Sequence, residues 1–357
     1  MSTILYVILA LLLLGIMVTV HELGHFTAAR ACGIAVRAFG VGFGPKIFSR
    51  KSKKSGTEYS LRAIPGGGFC AFYGEDDITG EQEKTDPRSF TIQPAWKRLI
   101  VMAAGPIMNF VLAFVAALIF FSAYGLPYEG DTITTQIVSV TKDSPADKAG
   151  MLAEDIITEV NGEVINGNFS EKITAWDGTA PLEVKVSRAD GEHTLYMTPD
   201  YISTEGRYMI GVTMTQSVDV VWTRAGFGKT ISHTADVCVD AGGAILTALK
   251  NLVTRGEGID QMSGPVGVIS IIAEQTREYK MMGYLNMLIV ISINLGLVNL
   301  LPIPGLDGCR IVFVVIEMIL RRPVNRKVEA YVHLVGYIFL IGLMLFFTFH
   351  DVLNFFG

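Results

Sequence analysis

His21-Glu22-Leu23-Gly24-His25 closes an apolar run, TILYVILALLLLGIMVTV at residues 3–20, that carries no charge. The run passes into HELGHFTAAR without a proline or a turn signal, so one helix is expected to hold both the greasy segment and the two histidines. Ionisable side chains at membrane depth are costly and mark a functional site by default. Residues four apart on a helix share a face. His21 and His25 can therefore offer two imidazole nitrogens to one metal ion, with Glu22 beside the coordination position left open.

The rest of the chain agrees with a membrane setting. Half of its 357 residues are hydrophobic and only 18% are charged, which excludes an ordinary soluble enzyme. Four segments, about 4–28, 99–124, 283–301 and 332–350, reach the roughly 20 helical residues that a hydrocarbon core requires. A cleaved secretory signal does not fit the first of them, which lacks a basic leading segment and a small-residue cleavage site. Basic residues cluster at Arg30, Arg37, Arg50, Lys51, Lys53 and Lys54, at Lys97-Arg98, and at Arg321 to Lys327. By the positive-inside rule these are cytosolic loops. Residues 122–280 carry 12 Lys+Arg against 22 Asp+Glu and are expected on the opposite side, whereas 31–98 carry 11 against 7. Nothing points to nucleic acid. Cys32, Cys70, Cys238 and Cys309 form no CxxC pair and read as packing residues.

After the first span, residues 33–48 and 57–75 mix β-formers with glycine and read as short strands or hairpins. Gly66, Gly67 and Gly68 allow close backbone approach, either as a flexible turn or as a substrate contact. Residues 74–95 read as a solvated loop. From 130 to 202 alternating strands, Asn-Gly and Asp-Gly turns and one short helix signal describe a compact module. Its strings Ser144-Pro145-Ala146-Asp147-Lys148-Ala149-Gly150-Met151, Glu154-Asp155-Ile156-Ile157 and Val160-Asn161-Gly162 resemble a PDZ domain, a fold that binds an extended peptide at a sheet edge. Residues 227–253 have apolar positions at helical spacing, read either as a helix on the membrane surface or as an amphipathic helix packed on the module. Residues 256–268 read as a Gly- and Pro-rich loop. His193 and His233 are expected at the surface or in packing.

A hydrolytic zinc takes three protein ligands and leaves a fourth place for water. Candidates for the third are Asp307, Glu317, Glu329, His333, His350 and Asp351, the last four near helix ends or loops where a solvated role is expected. Asp307 stands out because Leu301-Pro302-Ile303-Pro304-Gly305-Leu306-Asp307-Gly308 would interrupt the third span and turn a carboxylate inward.

HExxH in the first span, NxxPxPxLDG from Asn299 to Gly308, and a PDZ-like insert between the second and third spans together resemble the site-2 protease family of intramembrane zinc metalloproteases, in particular the bacterial regulator of sigma-E protease group. Gly40 to Pro45, Gly105-Pro106-Ile107-Met108-Asn109 and Gly264-Pro265-Val266-Gly267 are similar as well. The resemblance implies a polytopic α-helical membrane protein with four transmembrane helices, a small membrane-associated β-region and an extracytoplasmic PDZ-like domain. The boundaries are 1–124, a membrane core with HExxH and the β-region; 130–202, the PDZ-like domain; 203–280, a connecting region; and 281–357, a second membrane core.

It further implies Zn2+ held by His21, His25 and Asp307, Glu22 as general base, Asn299 as a substrate contact, and a β-structure near Gly66, Gly67 and Gly68 that pairs with the substrate. Expected partners are the lipid bilayer, single-span transmembrane substrates already cut once, such as anti-sigma factors or remnant signal peptides, and a peptide or ectodomain at the PDZ-like domain. The expected location is the bacterial inner membrane, with the catalytic motif toward the cytoplasm. Cys309 departs from the family, which commonly has glycine there, and puts the local turn in question. The insert holds a single PDZ-like module where some relatives carry two. A zinc transporter and a membrane-anchored PDZ scaffold are the rival classes; the first has no use for Glu22, and for the second no catalytic position is missing.

Overall fold

The computed structural model describes residues 3–75, 86–203, 205–258 and 263–356, which form two compact units. The first unit joins residues up to Ala123 with those from Gly226 onward. It begins with α1 (Thr3–Ala31), a single helix through the apolar run and the HELGH pentapeptide. Next come β1 (Val36–Lys51) and β2 (Glu58–Phe72), longer than the short strands expected. Both bend, so that Phe39 lies opposite Tyr59 and also opposite Cys70, while Lys51 pairs with Glu58. Gly42 (φ +87°) and Gly44 (φ +80°) occupy the bend of β1, where an L side chain would be strained. The polar stretch 76–85 lies outside the described residues.

α2 (Ala95–Tyr124) crosses α1 at close range. A Cβ on Gly24 would run into the Ala104 carbonyl and sit 2.7 Å from Met108 Cγ, so glycine at 24 permits the approach. In the C-terminal half of this unit are α5 (Phe227–Arg255), α6 (Pro265–Leu300), α7 (Asp307–Leu320) and α8 (Arg326–Phe356). α6 starts inside the stretch read as a loop, with Pro265 in its first turn, where the missing N–H costs nothing. Lys280 (φ 55°, ψ −130°) breaks the α-helical path of α6, and the apolar span follows the break. Among the described residues five helices, α1, α2, α5, α6 and α8, are long and apolar enough to cross a membrane. Length and composition thus admit α5 alongside the four segments expected, and the protein is a membrane protein with several apolar helices and a β-region.

The second unit, Tyr124–Ala225, is wider than 130–202. β3 (Leu126–Val140), α3 (Pro145–Lys148), β4 (Ile156–Val160), β5 (Glu163–Val164), α4 (Phe169–Thr174), β6 (Leu182–Arg188) and β7 (Gly191–Met197) are followed by a small ribbon, β8 (Asp200–Ile202) with β9 (Arg207–Met209), and by β10 (Val212–Thr223). The sheet order is β10-β3-β4-β6-β7, with β5 on β4. β10 pairs with β3 from Val212↔Val140 to Thr223↔Leu126, so the unit needs the segment beyond 202. Ile137, Met151, Phe169, Val184, Val186 and Ile210 are fully buried in its core. Asp155 is buried and paired with Arg188 at 2.6 Å, which satisfies its charge. His193 sits at the surface against Asp190.

Candidate metal centre

α1 carries His21 and His25 one turn apart, both buried, and α7 begins with Asp307. Pro302 and Pro304 end α6 at Leu300 because neither can donate to the preceding turn. Gly305 (φ +99°) turns the chain, and Gly308 has no Cβ to strike the Leu300 carbonyl, so α7 starts directly beside the end of α6. Cys309 is an ordinary helical residue of that first turn and needs no glycine conformation. The turn is also held from α8, where buried His333 accepts the Gly305 N–H at Nδ1, 3.1 Å away. His333, expected to be solvated, is a structural residue of this loop.

Three ligand atoms converge. His21 Nε2 and His25 Nε2 lie 3.0 and 3.2 Å from Asp307 Oδ2, and the two nitrogens are 3.2 Å apart. Ligands about 2.0–2.1 Å from a tetrahedral zinc are separated by roughly 3.3–3.4 Å, so the triangle fits one ion. Among the described residues these are the His, Cys, Asp or Glu side chains that group in this way.

The rings are also held in the right tautomer. His25 Nδ1–H donates to the Val101 carbonyl at 2.8 Å, which leaves Nε2 with a free lone pair. His21 Nδ1 faces the amide of fully buried Asn109 at 3.1 Å, while Asn109 Oδ1 has no partner. Turning that amide by 180° lets Oδ1 accept His21 Nδ1–H, which leaves His21 Nε2 with its lone pair free. Gly105 completes the cradle, since a Cβ there would stand 2.8 Å from His21 Nε2 and 2.6 Å from His25 Cε1.

Asn109 belonged to a noted string, but its role depends on a contact 88 residues away in sequence, from α2 to α1. Replacing Asn109 with Leu should weaken metal affinity about 10–100-fold, as loss of a ligand-orienting partner does. Competition with a chromogenic chelator would read it.

A cavity of about 350 Å³ opens on these ligands and is lined by Glu22, Phe69, Cys70, Asn299 and Arg310 among others. Glu22 stands beside the imidazoles, and the Cys70 backbone N–H faces its carboxylate. Asn299, on the last turn of α6, reaches the same cavity. Gly68 lies where a Cβ would meet Glu22 Cγ at 3.2 Å, whereas one on Gly67 would meet the Phe43 ring, and one on Gly66 nothing. Of the three glycines Gly68 is the one against Glu22, while the Gly66 N borders α1 at Gly15. Glu317 pairs with Arg98, and the Asp351 carboxylate accepts the Gly264 and Gly267 N–H groups, so both have partners away from the cluster.

Comparison with known proteins adds the following. The model of peptidase family M50 matches residues 9–343. The chain is 31% identical to the regulator of sigma-W protease RasP of Bacillus subtilis, over 97% of this chain and 98% of that one. It is 30% identical to the zinc metalloprotease RasP of Bacillus licheniformis, again over 97% and 98%. A crystal structure of the PDZ domain of an SdrC-like protein from Listeria monocytogenes covers 25% of this chain and 93% of its own, with 22% identity and a TM-score of 0.22.

Proposed function

This chain belongs to peptidase family M50, the site-2 proteases, and is a zinc metalloprotease; from that premise we propose that it hydrolyses peptide bonds inside the transmembrane segments of other membrane proteins. The observation that carries this reading is the triangle of donors from His21 and His25, on a helix apolar enough to cross a bilayer, and from Asp307 at the start of α7. His21, His25 and Asp307 are the zinc ligands. Bound zinc supplies a Lewis acid that acidifies water and polarises a carbonyl oxygen. Glu22 accepts the proton of the attacking water and returns it to the leaving amine. Asn299 offers its amide to the substrate backbone.

An intact substrate helix hides its amides in internal hydrogen bonds. The Gly68–Phe72 stretch of β2, beside Glu22, supports the second part of the reading: an unwound substrate pairs along this edge, so its backbone groups stay satisfied while one bond faces Glu22. The charge bias of the loops supports a bacterial inner-membrane protein with its metal site toward the cytoplasm and residues 130–202 extracytoplasmic. The Tyr124–Ala225 unit acts as a PDZ-like module. Its cleft of about 160 Å³, lined by Phe169, Ile173, Ile210, Gly211 and Val212, is sized for one or two apolar peptide side chains. Membrane-bound anti-sigma factors and remnant signal peptides, previously trimmed, are the substrate classes.

The purified protein in detergent, incubated with a single-span peptide, should release two fragments whose masses place the cut within the apolar stretch. A zinc chelator should stop the reaction and added Zn2+ restore it. Cleavage only in the polar flanks would remove the intramembrane assignment.

A further inference from the structure

Glu75 and Arg310 form an ion pair that the chemistry above leaves unused. Glu75 lies three residues beyond the end of β2, where the β-segment 57–75 and the solvated loop 74–95 expected from the sequence overlap, yet its side chain is 14% exposed and that of Arg310 31%. One Glu75 oxygen pairs with the Arg310 guanidinium; the other accepts the Phe72 N–H at 3.1 Å. Arg310 sits one turn beyond Asp307 on α7. The pair therefore links the end of the β2 edge to the helix that begins with a metal ligand.

Alternate N–H groups of a strand point to the same flank. Cys70 and Phe72 thus share one, opposite the flank on which they pair with Phe39 and Val36. On the shared flank the Cys70 N–H faces Glu22, and the Phe72 N–H is already taken by Glu75. Through Arg310, Glu75 thereby ties the Phe72 end of this edge to α7. Arg310 and Glu75 also stand between the catalytic cavity and a neighbouring one of about 270 Å³, lining both. A partly buried ion pair adds little net stability, and fixing a register is the best attested use of such groups.

We propose that the Glu75–Arg310 pair is a positioning clamp that sets which bond of a strand-paired substrate meets the catalytic centre. This rests on the β-edge reading given above. Without the clamp the edge and α7 lose their fixed spacing. A paired strand can then slip by two residues, the smallest shift that keeps the same side chains facing the same way.

The test is mass mapping of the products of a single-span peptide by wild type and by Glu75→Gln, an isostere whose amide still accepts the Phe72 N–H but carries no charge for Arg310. Wild type is expected to cut one bond. Glu75→Gln is expected to add a cut displaced by two residues, with kcat about 10–100-fold lower, KM little changed and zinc content equal to wild type. Arg310→Lys, which keeps the charge, is expected to restore most of the single-bond selectivity relative to Arg310→Gln. Glu75→Gln cutting only the wild-type bond at the wild-type rate would overturn the clamp and leave the β-edge reading standing. Scattered cuts by wild type itself would remove both. If Glu75→Gln lost zinc, Arg310→Gln and Arg310→Lys would be scored alone, and loss of zinc in step with activity in both would also overturn the clamp.

Discussion

Glu22→Gln is expected to lower cleavage of a transmembrane peptide by about 10²–10⁴-fold, the usual worth of a positioned general base, while the protein still binds its zinc. The ligand triangle is built from His21, His25 and Asp307 alone, so an amide at 22 removes no donor. Glutamine fills the same volume beside Gly68, where a Cβ on that glycine would stand 3.2 Å from Glu22 Cγ. Only the proton acceptor is lost. Metal content by atomic absorption and fragment release measured on one preparation separate the two effects. Retained cleavage would refute the base assignment; a transporter, by contrast, would move zinc as well with glutamine as with glutamate.

Gly105→Ala should produce the opposite pattern, a helical protein that no longer holds zinc. The added methyl would stand 2.6 Å from His25 Cε1 and 2.8 Å from His21 Nε2, too near for either ring to stay. α2 itself favours alanine over glycine, so its helix is retained. Affinity should fall by at least 100-fold, beyond the 10–100-fold of an outer-sphere change, and activity with it. Circular dichroism close to wild type, together with a metal-free protein, is the expected combination. An alanine protein with full zinc would mean that the imidazoles are not where α1 and α2 place them.

The parts of this site that were legible share a local origin. HExxH and its apolar run lie within one helix, and the two prolines before Asp307 state where α6 must stop. What could not be read depends on partners distant in sequence. β1 and β2 were visible as β-formers, but the doubled register that puts Phe39 beside both Tyr59 and Cys70 is a property of the folded bends. Val212–Thr223 shows little inside-outside alternation, since most of it is exposed and its partner β3 lies about 70 to 100 residues earlier. Glu75 is hidden by its neighbours, as the first acid of a polar run of which residues 76–85 lie outside the described residues. His333 and Asn109 gain their roles from Gly305 and His21, contacts that no periodicity announces.

Zinc K-edge X-ray absorption on the purified wild-type protein tests the account at its centre. It predicts outer-shell scattering from two imidazoles and a first shell of nitrogen and oxygen at about 2.0–2.1 Å, with Asp307→Ala altering the oxygen component. A sulfur ligand near 2.3 Å, from Cys70 or Cys309, or the absence of imidazole scattering, would contradict it.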